Sequence, residues 1–305
     1  MAESSIPVDL LNPGQVFACL GLLELADKLL GNAQGAFDWC KGSDTQFKLS
    51  VPDNTNPIAS VLGMLATTQA VEVEPVGWPS GTSNGARFSA TFPSSLDHHR
   101  DGDGDYTRTK LPILLQFEGP PRKEVAVEHW TDESSRPDFK LYAGNRSGFT
   151  IAQDMVHGKR SKPAMKTGST KILNWGVEQL WKSDASGLSA SPFDILVPMA
   201  GSFNFDPRGA WNAIDEGYSP DKQGHSLRSS PLVEILAAAA MENMRPHEHE
   251  RGVFQYSTWS DWLSPELARV AIQGRLSGFP IRRFQFALGH SGKNKIVSFA
   301  KELPH

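Results

Sequence analysis

The chain has 305 residues, 39% of them apolar and 21% charged, and a net charge of -4. That composition suits a water-soluble globular protein, long enough to bury a large core in one big domain or two. Two cysteines, Cys19 and Cys40, without metal or redox spacing exclude a disulfide scaffold and fit a reducing, cytoplasmic setting. No basic segment followed by an apolar one opens the chain, so no secretory leader is expected. The apolar run 16–30 is broken by Glu24, Asp27 and Lys28, so no membrane association is expected of it.

Helix starts are the most legible local signal. Asn12-Pro13, Asn56-Pro57, Asp206-Pro207, Ser230-Pro231 and Ser264-Pro265 each pair a capping side chain with Pro. The cap oxygen accepts an orphan amide, and Pro lacks the amide that would otherwise be orphaned. They predict helices over 13–30, 57–67, 207–215, 231–244 and 265–276. A sixth, over 170–182, would use Ile172, Leu173, Val177, Leu180 and Trp181 as its apolar side. Strand-like content occupies 47–51, 87–92, 111–117, 125–130, 194–199 and 202–205. A C-terminal β-hairpin is expected from 282–288 and 295–299, turning at 290–293. In its first strand Phe284 and Phe286 share a core-facing side, and Arg283 and Gln285 point the other way. The stretches 74–110 and 157–169 read as irregular. The second holds four cations and no apolar period, and a basic loop of that length is a functional or a disordered element.

Charge is unevenly distributed along the chain. Residues 269–301 carry seven Lys/Arg and no acid, and residues 136–182 carry nine Lys/Arg and three acids. The other 225 residues therefore carry -17. Such segregation suits a protein that grips phosphate on one face and docks to proteins elsewhere, unless the loops scatter in space.

Catalytic and metal motifs fall short. Asp101-Gly102-Asp103-Gly104-Asp105 opens like a calcium loop, but its sixth and twelfth positions are Tyr106 and Pro112. His247-Glu248-His249-Glu250 lacks the second metalloprotease histidine, since position 251 is Arg, and reads as a polar loop after a helix. Gly289-His290-Ser291-Gly292 is followed by Lys293 and not Gly. No phosphate-binding glycine loop stands between a strand and a helix. The loop Gly144-Asn145-Arg146-Ser147-Gly148 has two readings. One is a tight turn between a strand ending at Tyr142 and a helix starting near Phe149. The other is a nucleic-acid contact in which Asn, Arg and Ser meet base edges or phosphate. Asp206 reads as a cap and Trp211 as a packing residue, with Arg208 turned to phosphate or to solvent.

Two helix starts resemble each other across 218 residues. Residues 8–27 read VDLLNPGQVFACLGLLELAD and residues 230–246 read SPLVEILAAAAMENMRP. Each places a Glu twelve positions past its cap, Glu24 after Asn12 and Glu242 after Ser230. Together with FNFDPRGAWNAIDEGYSPD (203–221), HWTD (129–132), FKLYAGNRSGFTIAQDM (139–155) and the segment 281–300, these stretches resemble the large-subunit family of the type I-G (formerly I-U) CRISPR Cascade complex. The resemblance is discontinuous and carries no site that maps residue by residue. It implies a non-enzymatic subunit, without cofactor or metal, placed near the crRNA 5′ end. Such a subunit recognises a short flanking motif (PAM) in duplex target DNA, helps open the duplex, holds the displaced strand and offers a surface to the recruited helicase-nuclease. Its other partners would be the backbone subunits that coat the crRNA and the crRNA-processing subunit that binds the 5′ handle. A metal-dependent hydrolase using His247, His249 and the acidic loop, and a scaffold that touches only proteins, are the alternatives.

The expected fold is α+β: an N-terminal subdomain over 1–156, a basic loop with a connecting helix over 157–192, and a C-terminal subdomain over 193–305 that ends in a basic hairpin. The residues expected to meet nucleic acid come from four places. Lys140, Asn145, Arg146 and Ser147 surround the glycine loop, and Lys159, Arg160, Lys162 and Lys166 lie in the basic stretch. Arg208 lies at the start of the helix expected over 207–215. The hairpin supplies Arg282, Arg283, Gln285, Lys293 and Lys295.

Overall fold

In a computed structural model, which describes residues 1–40, 44–75, 88–92, 111–119, 121–130, 139–142, 146–161, 172–199, 201–209, 228–291 and 294–304, two buried helices run side by side through the centre. The first, α1 (Pro13–Leu30), starts where Asn12 accepts the Gln15 N–H, and ends at Gly31, whose N–H returns to Ala26 and Asp27. Fourteen of its eighteen residues are buried, so it is apolar on every side and surrounded by protein.

The second central helix is α6 (Pro231–Ala240), buried at every position, with Ser230 as its cap. A Cβ added at Gly21 of α1 would overlap the Leu236 carbonyl of α6, so the backbones touch and no larger residue fits. The two helices point the same way, and their N-termini converge on one carboxylate. Asp206 accepts from the Asn12 amide at 3.2 Å and from the Ser230 N–H at 3.4 Å. The Arg208 side chain closes on it with three further bonds, at 2.9, 3.2 and 2.7 Å. Glu234, in the first turn of α6, accepts the N–H groups of Phe205 (3.2 Å) and Asp206 (2.9 Å). Two parallel helix dipoles would repel at this end, and the buried carboxyls offset that. Asp206 is therefore more than the cap of a helix over 207–215. Of that helix the described part is a 3-10 turn, Pro207–Gly209, and Trp211 lies outside the described residues.

Three sheets surround this pair. β1 (Ala2–Pro7), β2 (Gln34–Asp38) and β3 (Gln46–Val51) form an antiparallel sheet in the order β1-β3-β2. The crossover through α1 leaves β3 between β1 and β2, a split βαβ. After α2 (Pro57–Thr67), β4 (Gln69–Pro75), β5 (Phe88–Phe92), β6 (Ile113–Phe117) and β7 (Lys123–Val127) pair as β5-β4-β6-β7. α3 (Gly148–His157) follows, then the short pair β8 (Lys159–Arg160) and β9 (Ile172–Asn174), then α4 (Val177–Ser183) and α5 (Ala185–Ala190). β10 (Val197–Pro198) and β11 (Arg228–Ser229) pair just before α6. The last sheet holds β12 (His247–Glu250), β13 (Val253–Trp259), β14 (Ile281–Ser291), β15 (Asn294–Val297) and β16 (Lys301–Glu302), with α7 (Pro265–Ala271) between β13 and β14. The fold is α+β.

The sequence strand, Pro-started helix, antiparallel hairpin, Pro-started helix, strand occurs twice, as β1 to β4 and as β11 to β14. The two matching glutamates hold the central pair at its far end. Glu24 takes a bidentate ion pair from Arg269 at 2.9 and 3.0 Å, and Glu242 accepts the Glu128 N–H at 3.0 Å. The first and last sheets are joined by reciprocal Gly35–Leu263 bonds and by the Trp259 indole N–H on the Gly35 carbonyl. Phe17 of α1 packs edge-on against Phe205, Tyr256 and Phe286. One hydrophobic core runs from Ile6 to Val297 and includes residues of all three expected segments, Val177, Leu180 and Leu188 of the middle one among them.

Several predicted elements differ. The helix over 170–182 begins only at Val177, and Ile172 and Leu173 lie on β9. The residues 202–205 form no strand, because Asn204 takes a positive φ of 67°. His247–Glu250 is an edge strand with a bulge, not a loop. The helices begun at Pro231 and Pro265 stop at Ala240 and Ala271. The hairpin is present, with Phe284 and Phe286 buried and Arg283 exposed on the other face. Most of 74–110 lies outside the described residues.

Burial pushes the Glu234 carboxyl up to about 7, against the pull of the N–H groups it accepts, and the Asp206 carboxylate pushes the same way as burial. Between its ordinary 4.5 and about 7 the folded chain holds this proton more tightly than the unfolded chain does. Stability from this group is therefore complete below 4.5 and falls as pH rises through that window. Glu234→Gln keeps one of the two acceptor oxygens and removes the titration. The difference in urea unfolding free energy between wild type and variant should change by about 1–3 kcal/mol between pH 4.5 and 7. A difference that stays constant would contradict the buried carboxyl.

Candidate nucleic-acid interface

The C-terminal end of α3 leads directly into the short ribbon β8–β9. Ser147 caps α3 by accepting the Thr150 N–H at 3.2 Å, and the helix buries Ile151, Ala152, Met155 and Val156. Gly158 then turns the chain at φ 71°. A Cβ on Gly158 would stand 2.5 Å from the Asn174 oxygen, and one on Gly176 would stand 2.5 Å from the Met155 oxygen. The two glycines thus press the ends of the ribbon together. Gln179 fastens them, accepting the Gly176 N–H at 2.8 Å and donating to the His157 carbonyl at 3.0 Å. Glu178 joins the same base, paired with His157 at 2.9 Å and Lys182 at 2.6 Å. The hydrogen bond from Lys182, more than any other neighbour, holds the Glu178 carboxyl below its ordinary range.

Above this clamp the ribbon is exposed. Lys159 pairs with Asn174 and Arg160 with Ile172, so Leu173 is the extra residue of a bulge and is turned outward. Ile172 is 44% exposed, Leu173 56% and Trp175 47%. Three of the eight large exposed apolar side chains among the described residues therefore fall within four positions. Lys159 and Arg160 stand on the partner strand, and neither makes an ion pair or side-chain hydrogen bond among the described residues. Nearby Asp154 pairs with Arg146 at 3.4 Å. Burial raises the Asp154 carboxyl, opposed by Arg146 and Lys159.

The other expected contact residues are distributed differently. Lys140 donates to the Tyr142 carbonyl and lies 4.4 Å from the centre of the Tyr142 ring. Arg146 is held by Asp154, and Ser147 is buried as a helix cap. Arg208 closes on Asp206 in the core. Arg282 is gripped by Glu302 through two 2.7 Å bonds and lies near the rings of Trp39 and Phe284. Gln285 accepts from Gln255 at 3.2 Å, and Lys295 is half-buried beside His290 in the hairpin register. Arg283 is exposed and makes no ion pair among the described residues. Asn145, Lys162, Lys166 and Lys293 lie outside the described residues. Of the described candidates, only Lys159, Arg160 and Arg283 make no ion pair or side-chain hydrogen bond among the described residues, although Lys159 also acts on Asp154, and the first two are neighbours.

Trp175 and Leu173 are the residues that sequence reasoning missed. A helical period over 170–182 placed Leu173 in the core and left Trp175 without a role. The available signal was the glycine after Trp175, which cannot continue a helix backwards without cost. Among the described residues no three His, Cys, Asp or Glu side chains converge as a metal site requires. His247 and His249 stand exposed on β12, and Glu248 accepts the Gly252 N–H. No described helix is long and apolar enough to cross a membrane. No protein-family model, curated protein or solved structure matches the chain.

Reversing both ribbon charges, Lys159→Glu with Arg160→Glu, should weaken oligonucleotide binding. It should also lower the slope of log affinity against log salt by about two, one for each phosphate no longer neutralised. Fluorescence anisotropy over a salt series measures this. An unchanged slope would remove the ribbon from the interface.

Proposed function

We propose that this chain is a non-catalytic, DNA-sensing large subunit of a type I-G CRISPR Cascade complex. The observation that carries the reading is the β8–β9 ribbon, where two cations, unpaired among the described residues, stand on the strand paired with Ile172 and Asn174, the sequence neighbours of exposed Leu173 and Trp175, on a rigid base. It supports nucleic-acid contact, and the stretches that resemble the Cascade family supply the context. In RNA-guided complexes base pairing reads the sequence, while protein reads a short flanking motif and grips the backbone. Lys159 and Arg160 would hold phosphate. The crRNA, its coating subunits, the 5′-handle-binding subunit, the duplex target and the helicase-nuclease are the partners of this reading. A cytoplasmic protein fits two free cysteines, one of them exposed.

Co-expression with the neighbouring genes' products and a crRNA tests the role. Complexes with and without this chain are presented with duplexes that do or do not carry a flanking motif. Loss of motif-dependent capture with the crRNA still bound is the expected result. Equal capture without the chain would contradict the sensing role and favour a scaffold, and metal-dependent turnover by the pure chain would favour a hydrolase.

A further inference from the structure

We infer that the β8–β9 ribbon takes unpaired nucleotides, with Trp175 as the platform on which one base stacks and Lys159 and Arg160 as the grip on the adjoining phosphates. The inference rests on the nucleic-acid reading above and specifies the class of ligand at that site.

Three features of the ribbon carry it. The first is placement of the indole. Trp175 lies between Asn174, the last residue of β9, and Gly176, whose backbone is pressed against Gly158 and tied to Gln179. The ring therefore projects from a fixed base, and little ordering is needed when a ligand arrives. The second is what surrounds it. Trp175 is about half exposed and makes no ring or cation contact with another side chain among the described residues. About half of its surface is therefore available to a ligand, and no other ring occupies it. Leu173, pushed outward by the bulge, and Ile172 extend the apolar surface. The third is charge. Lys159 and Arg160 stand on the paired strand, and no acid among the described residues is bonded to them; Asp154, which Lys159 influences, is ion-paired to Arg146.

A duplex offers phosphates and groove edges but hides the faces of its bases. It would use the two cations and leave the indole in water. An unpaired strand offers both a phosphate line and open base faces. Stacking on an aromatic side chain tolerates any base, because every base has a π-face. An apolar protein partner would use Ile172, Leu173 and Trp175 but would strip water from two cations without supplying a counter-charge. Unpaired nucleic acid answers all three features together.

The test uses the full chain, fluorescein-labelled oligothymidine and a random duplex of equal length. Wild type should bind the single strand more tightly than the duplex. Trp175→Ala should weaken single-strand binding about 5- to 100-fold and leave duplex binding within about twofold. Trp175→Phe should keep most of the affinity, whereas Trp175→Leu, apolar but without a π-face, should behave as Ala does. Because Trp175 is half exposed, thermal melting by circular dichroism should be close to wild type for all three variants. Equal binding of both oligonucleotides, or full affinity in the Ala or Leu variant, would overturn the stacking inference. If the Lys159→Glu, Arg160→Glu variant loses binding while the Trp175 variants do not, the nucleic-acid reading stands and stacking falls. If wild type binds neither oligonucleotide, alone or in the assembled complex, the nucleic-acid reading itself falls.

Discussion

The structure depends on a buried carboxylate between two helix ends that point the same way. α1 and α6 touch along their backbones at Gly21, so their N-terminal partial charges cannot move apart. Asp206 answers both ends, through Asn12 and through the Ser230 N–H, and Arg208 balances it. Removing one partner from such a buried network typically costs about 3–5 kcal/mol, since the remaining charge is left uncompensated. Arg208 therefore belongs to the fold, and its charge is not available to a phosphate.

The same constraint reaches the ribbon by a short route. α6, held by the carboxylate at its start, packs against α3, and α3 packs against α4. The ribbon springs from the gap between the end of α3 and the start of α4, where Gly158, Gly176 and Gln179 fix its base. A rigid core thus presents a small exposed element. The cations that looked alike in sequence separate into two groups. Arg269 and Arg282 are matched by Glu24 and Glu302, acids that lie outside the basic window 269–301. Lys159 and Arg160 are left without such partners among the described residues.

The parts of the fold legible in the sequence are those fixed by local chemistry. Asn12-Pro13 and Asn56-Pro57 set the starts of α1 and α2, and Gly31 closes α1, so these bounds follow from capping alone. The alternation of Phe284 and Phe286 placed one face of β14 in the core. What stayed hidden depends on distant residues. Nothing near Asp206 announces that its partners are Asn12 and Ser230. The edge strand β12 is polar because one side meets water, so its sequence reads as a loop. At the ribbon, the apolar run Ile172–Leu173 fits a helix equally well. Only the contact between Gly158 and Gly176, eighteen residues apart, delays that helix to Val177 and turns Leu173 and Trp175 outward.

The central functional claim is that nucleic acid meets this chain at the ribbon and not at the C-terminal hairpin. Ultraviolet crosslinking to a bound oligonucleotide, followed by trypsin digestion and mass spectrometry, tests it most directly. Cleavage after Lys171 and Lys182 releases the peptide 172–182 with Trp175 inside it. That peptide should carry the nucleotide adduct. Adducts confined to peptides from 281–302, or none on 172–182 at saturating oligonucleotide, would contradict the account.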